Sequence, residues 1–257
     1  MSAQPAAVPT MTAVPRRLLL CVEEFETCFQ FYRNALELPL SDSQNGRACF
    51  QAGRLALELL EGGKGTTELV KPWGPGGNAF LAALHVNDLD AAVAALTTAG
   101  VYFVGRSETA PWGRFVSFAD PDGNRWQLVA VPGWAGRPGN RPAGPRFVAL
   151  RCADLTAQAG FYPRAFGWPI VGRDARSVLF DAAGLAFELV AGGSGQPSPG
   201  EAFTLSLEVR SATAEPPDLS AWREHLLAAG GTLIEAAAGR LLVADPEGHA
   251  WQIILSS

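Results

Sequence analysis

The sequence predicts an α+β protein built from four β-α-β-β-β modules, laid out as two tandem copies of a two-module unit. Three observations carry this reading. Residues 55–63 (LALELLEGG) match residues 185–193 (LAFELVAGG) at an offset of 130, and Phe31-Tyr32 matches Phe161-Tyr162 at the same offset. Residues 119–127 (ADPDGNRWQ) match 244–252 (ADPEGHAWQ) at an offset of 125, so the second copy is five residues shorter between Gly230 and Ala244. Between the copies, residues 132–145 (PGWAGRPGNRPAGP) are too dense in Pro and Gly for a helix or a ladder strand. Self-similarity at a fixed period marks a duplicated architecture before any secondary structure is assigned.

The elements follow in chain order. Residues 1–14, rich in Ala, Pro and Thr, read as a disordered tail. A first domain spans 15–131. It opens with an apolar run of strand length at 17–22, then a helix with Phe25, Cys28, Phe29, Tyr32 and Leu36 on one face at 3.6-residue spacing, which assigns Cys28 to the core. A looser stretch at 63–78 separates the second module. There, residues 80–86 form a strand, and Leu89, Ala92, Val93 and Leu96 share a helix face that Asn87 or Asp88 caps and Gly100 ends. A hairpin follows, with strands at 115–118 and 125–131 around Asp120-Pro-Asp-Gly123, where Gly123 supplies a positive φ. Residues 132–145 are the linker. The second domain, 146–257, repeats the order, with its own looser stretch at 193–201.

Composition narrows the function classes. With 257 residues, 48% hydrophobic and 18% charged, the chain can bury a sizeable core. The net charge is −5 and no run of Lys or Arg occurs, so the electrostatic footprint of a nucleic-acid binder is missing. Apolar stretches are strand-sized, short of the ~20 residues of a membrane span. The four cysteines (Cys21, Cys28, Cys49, Cys152) form no CxxC and no zinc-like spacing, which suits a reduced compartment. The first residues carry neither the basic nor the apolar region of a secretory signal. A cytoplasmic location is the expectation.

Paired modules with Phe-Tyr late in the first helix, an apolar-Glu-apolar strand, and Asp-Pro-Asp/Glu-Gly before the last strand resemble the vicinal oxygen chelate superfamily. That group includes glyoxalase I, bleomycin-resistance proteins and extradiol dioxygenases. The resemblance covers residues 16–255 and implies that the four modules pair into two cupped, incomplete barrels. In metal-dependent members it also implies a divalent ion held by His or Glu inside the cup. Carried over residue by residue, the ligand positions fall on Arg17, Glu58, Leu81 and Gln127 in the first half, and on Phe147, Glu188, Thr204 and Gln252 in the second. A transition-metal site needs three or four converging His, Cys, Asp or Glu ligands, and each half offers one carboxylate and one amide. The expectation is therefore no metal and no cofactor. Of the histidines, His85 reads as a strand-end residue, His249 as part of a turn and His225 as solvated.

The candidate ligand-binding residues are Arg17, Glu58, Trp112 and Gln127, expected to share one cup in the N-terminal half. Phe147, Glu188, Thr204 and Gln252 are expected to form a second cup in the C-terminal half. Arg17 stands where an ion would sit opposite Glu58, either as a structural ion pair or as part of a ligand site. Glu188 has Arg151 as a candidate partner. Trp126 and Trp251 point away from the cups into helix packing, whereas Trp112 and Trp73 lie in loops, where they either cover a ligand or pin the loop. Three functions stay open. One is metal-independent binding of a small apolar or aromatic molecule in the N-terminal cup, with the C-terminal copy mainly a packing partner. Another is a lyase or isomerase using Glu58 as base, or a dioxygenase with an irregular site. The last is a remnant whose cups are filled by side chains. The sequence leaves association into a homodimer open.

Overall fold

A computed structural model describes residues 12–51, 53–62, 80–110, 112–134, 137–192, 204–210 and 218–255. Module one contains β1 (Thr12–Val22), α1 (Phe25–Gln30, widening into a π-type turn over Phe31–Ala35), β2 (Leu40–Gln44), β3 (Arg47–Gln51) and β4 (Ala56–Glu61). Module two contains β5 (Phe80–His85), α2 (Leu89–Thr98), β6 (Tyr102–Ala110), β7 (Gly113–Ala119) and β8 (Arg125–Ala130). Module three contains β9 (Ala143–Cys152), α3 (Leu155–Phe166), β10 (Ile170–Arg173), β11 (Ser177–Ala182) and β12 (Leu185–Ala191). Module four contains β13 (Thr204–Arg210), α4 (Leu219–Ala228), β14 (Thr232–Ala237), β15 (Arg240–Ala244) and β16 (Ala250–Leu255). The four expected modules are all present, and the fold is α+β.

Strand order corrects the expectation of one cup per sequence half. One eight-stranded sheet runs β14-β15-β16-β13-β1-β4-β3-β2 and so joins modules one and four. The other runs β10-β11-β12-β9-β5-β8-β7-β6 and joins modules two and three. The joints are antiparallel pairings of β1 with β13 and of β5 with β9, so each open, cupped sheet takes one module from each half. We refer to the one-with-four sheet as the outer cup and the two-with-three sheet as the inner cup.

Each half nevertheless keeps its own knot, and the duplicated hairpin motif ties it. In the first half the Tyr32 hydroxyl donates to the buried Asp120 carboxylate at 2.6 Å and accepts from Trp126 Nε1 at 2.9 Å. In the second, Tyr162 donates to Asp245 at 2.7 Å. The acidic residue two places on, Asp122 or Glu247, accepts backbone N–H groups just before α1 or α3. The motif's glycines, Gly123 and Gly248, have φ of 83° and 92°, which explains why glycine closes both turns. The knots differ electrostatically. Burial pushes the Asp120 carboxyl up to about 6 despite bonds from Tyr32 and Asn124. Burial acts on Asp245 too, but the His249 ring at 2.9 Å and the Tyr162 hydroxyl more than offset it and hold that carboxyl below its ordinary value.

The segment ends also depart from expectation. The strand foreseen at 17–22 starts at Thr12, so residues 12–14 belong to the sheet and not to the tail. β9 likewise reaches back over residues 143–145 of the linker. Pro15 and Pro145 are tolerated because register breaks beside them, between Pro15 and Arg17 in β1 and opposite Ala83 and His85 for β9, remove the need for a regular ladder donor. One buried cluster joins the two sheets and all four helices, and Cys28, Trp126 and Trp251 lie in it as the sequence suggested. His225 is not solvated: its ring stands edge-on to the buried Trp222 at 5.6 Å. Among the described residues no helix is long and apolar enough to cross a membrane.

Candidate functional site

Inner and outer cups are built on the same template. Alternation along β1, β4 and β13 sends Leu18, Leu20, Leu57, Leu59, Leu205 and Leu207 into the core. The intervening residues face the concave side. Residues 47 and 58 on β3 and β4 correspond to 177 and 188 on β11 and β12, and Arg17 on β1 corresponds to Phe147 on β9. Register confirms the match, since Cys49 faces Glu58 as Leu179 faces Glu188.

In the outer cup Glu58 is 6% exposed and both of its oxygens are occupied. Arg17 Nη1 donates to Oε2 at 2.9 Å, and Arg47 Nε donates to Oε1 at 2.6 Å. Arg47 also lies 3.6 Å from Asp42. The bulge in β1 turns Arg16 to the same side as Arg17, where its guanidinium meets Glu208. Beside these groups lies a cavity of about 330 Å³ that Arg16, Arg17, Gln51 and Arg54 line together with Ala56 and Ile254.

In the inner cup the same carboxylate position has different company. Glu188 has the Phe147 ring and the Ser177 hydroxyl where Glu58 has Arg17 and Arg47. Burial raises its pKa, a bond from Ser177 counters part of the rise, and Asp174 adds to it. Arg151, the partner suggested by the sequence, is exposed. A cavity of about 200 Å³ opens here, lined by Trp112, Trp134, Phe147, Val129, Leu179 and Glu188 among others. Trp112 stacks on Phe115 with ring centroids 5.4 Å apart, and Trp134 lies edge-on to His85 and under the Arg146 guanidinium.

The eight candidate binding residues therefore regroup. Arg17 and Glu58 share the outer cup's sheet with Thr204 and Gln252, while Trp112 and Gln127 share the inner cup with Phe147 and Glu188. The two expected groupings are corrected by an exchange of half their members, because β1 pairs with β13 and not with β5. Register shifts two positions as well: Ser206, not Thr204, stands opposite Arg17 and Gln252, and Ala83, not Leu81, stands opposite Phe147 and Gln127. Trp73 lies outside the described residues. Sequence reasoning missed Arg47 and Ser206. Alternation from the core residues Ala48 and Phe50 was the available signal for Arg47, since it places position 47 on the Glu58 face.

With the geometry in place, the chain can be compared with known proteins. The model of the Glyoxalase/Bleomycin resistance protein/Dioxygenase superfamily matches residues 15–128, and that of the glyoxalase-like domain matches 147–254. The chain belongs to the glyoxalase/bleomycin-resistance/dioxygenase superfamily. Among solved structures of the same fold, glyoxalase I from Zea mays is 18% identical with a TM-score of 0.69, covering 95% of this chain and 92% of that one. A glutamate-to-glutamine mutant of that maize enzyme gives 18% and 0.72, covering 95% and 94%. A candidate dioxygenase from Bacillus subtilis subsp. subtilis str. 168 gives 14% and 0.69, covering 95% and 85%. Comparison with curated protein sequences gives no match.

A divalent ion of the kind that metal-dependent superfamily members hold does not fit either donor set. In the outer cup an ion at Glu58 would face two guanidiniums already bonded to that carboxylate. In the inner cup Glu188 is surrounded by rings and aliphatic carbon, with the Gln127 amide on the same face. Among the described residues neither offers the three or four N, O or S ligands that such ions need.

Proposed function

We propose that this superfamily member binds a small apolar or aromatic molecule, without a metal ion, in the inner cup. The observation that carries the reading is the cavity of about 200 Å³ walled by Trp112, Trp134 and Phe147, with Glu188 as its ionisable group. Such a volume exceeds the ~150 Å³ that suffices for benzene in an apolar protein cavity. One polar group against apolar walls is the usual composition of a small-molecule site. Glu188 would orient a ligand through a hydroxyl or amine N–H that donates to its carboxylate.

Calorimetry with a panel of one- and two-ring aromatics, including toluene and 4-methylphenol, tests this. Saturable one-to-one binding that Phe147→Arg abolishes is the expected result. Absence of saturable binding across the panel, or binding that Phe147→Arg leaves untouched, overturns the reading. The pH dependence has a definite sign. A ligand without a donor desolvates Glu188 further and raises its already raised pKa, so binding takes up a proton. Toluene affinity should rise as pH falls through that pKa, and Glu188→Gln should flatten the dependence.

A second reading, proton-transfer catalysis of the lyase or isomerase kind, has its support at Glu188 and not at Glu58. A general base works best with a pKa raised toward the operating pH, and Glu188 is raised by burial. Both oxygens of Glu58 are already bonded to Arg17 and Arg47 and are not free to take a proton from a ligand. Conversion of a bound aromatic that Glu188→Gln stops, with binding retained, would favour this reading over simple binding.

A further inference from the structure

We infer that the outer cup is a second, separate site that takes a small organic monocarboxylate with a short apolar body. The inference rests on residues that the inner-cup reading does not use. Three arginines, Arg16, Arg17 and Arg54, border one cavity of about 330 Å³. Arg17 directs one Nη1–H at Glu58, and Arg16 meets Glu208 through Nε. A guanidinium has five N–H donors in a planar fork, so both keep donors that the Glu58 and Glu208 contacts leave unused. Arg54 donates to the Ala183 carbonyl at 3.3 Å and, among the described residues, meets no carboxylate.

The second observation is Ser206. It is 1% exposed, and among the described residues its hydroxyl has no hydrogen-bond partner. Its neighbours Leu205 and Leu207 point into the core, so Ser206 points to the concave side, opposite Arg17 on one flank and Gln252 on the other. A buried hydroxyl left unsatisfied is destabilising. A hydroxyl beside a guanidinium fork fits a carboxylate, one of whose oxygens accepts from Ser206 while the other accepts from Arg17.

Charge and surroundings set the ligand class. Among the described residues that line the cavity, Arg16, Arg17 and Arg54 outnumber the one carboxylate, Glu208, which favours an anion, and the single seat between Arg17 and Ser206 takes one carboxylate. Ala56, Ile254 and Leu255 supply an apolar wall for a short chain. The inner cup, with one carboxylate and no arginine among its lining residues, would repel the same ligand.

The test titrates the full chain with sodium butyrate by calorimetry and by ligand-observed NMR, at constant ionic strength. Butanol, butylamine and glutarate serve as comparisons. Saturable one-to-one binding of butyrate, stronger than that of all three, is expected. Ser206→Ala preserves every ion pair and should weaken butyrate about tenfold. Arg17→Lys keeps the charge beside Glu58 but loses the fork and should weaken it by a similar factor, while Trp112→Ala in the inner cup should leave it unchanged. Circular dichroism checks that each variant is folded. Butyrate heat no larger than that of equal sodium chloride would overturn the inference. Binding that survives both Ser206→Ala and Arg17→Lys, or that vanishes with Trp112→Ala, would place the ligand elsewhere and overturn it too. Neither result bears on aromatic binding in the inner cup.

Discussion

Glu58 and Glu188 occupy matching strand positions on matching sheets, and their neighbours make them different chemical objects. At two flanking positions the outer cup has Arg17 and Arg47 where the inner cup has Phe147 and Ser177. The guanidiniums occupy both oxygens of Glu58. The ring and hydroxyl leave Glu188 half-buried, with its pKa raised and one face open to a ligand. The backbone template therefore decides where a carboxylate stands, and two side chains decide whether its oxygens are tied up in ion pairs or left beside an apolar cavity.

Transplanting the inner neighbours into the outer cup gives the largest expected effect. Arg17→Phe with Arg47→Ser strands a carboxylate that is 8% exposed at its side chain. Removing the partner of a buried charge costs ~3–5 kcal/mol. Because the two arginines are 42% and 32% exposed, a loss of about 3 kcal/mol is expected in urea denaturation at pH 7. Adding Glu58→Gln should recover most of it. A double variant as stable as the wild type would mean that the guanidiniums contribute nothing to holding Glu58.

The reverse transplant is smaller. Phe147→Arg with Ser177→Arg should pair Glu188, fill the inner cavity with charge and weaken 4-methylphenol at least tenfold, or about 1.4 kcal/mol. Calorimetry that finds unchanged affinity would show that position 147 does not define the inner site. Smallest is Trp112→Ala. Trp112 is 46% exposed and stacks on Phe115, so its loss should cost about 1 kcal/mol of aromatic affinity while stability shifts by ~0.5 kcal/mol or less. A large fall in melting temperature would instead identify Trp112 as a loop pin.

Local chemistry was legible in the sequence and long-range pairing was not. Helix faces and the Asp-Pro-x-Gly turns follow from periodicity and turn residues, which act over a few residues, whereas the Arg17–Glu58 contact was expected from the ligand positions that the family resemblance implied. The choice of β13 over β5 as the neighbour of β1 left no such trace, since both are short apolar strands with unpaired edges. That choice moved Trp112 and Gln127 away from Arg17. A bulge hid the start of β1: residues 1–14 read as a tail, yet the extra residue beside Pro15 lets the strand begin at Thr12 and turns Arg16 and Arg17 to one side. Ser206 was missed because the ligand position carried over from the family resemblance falls on Thr204, two residues away on the same strand.

The crossing of modules between halves has a consequence for how such a chain can change. If two identical halves assembled in this way, a rotation would interchange the cups, and any substitution would appear in both of them. Joining unlike halves in one chain removes that constraint. Position 17 belongs to the outer cup alone and position 147 to the inner cup alone, so arginine at one and phenylalanine at the other can coexist. Broken symmetry of this kind lets one concave surface keep its charged interior while its twin acquires apolar walls, each half still supplying strands to both.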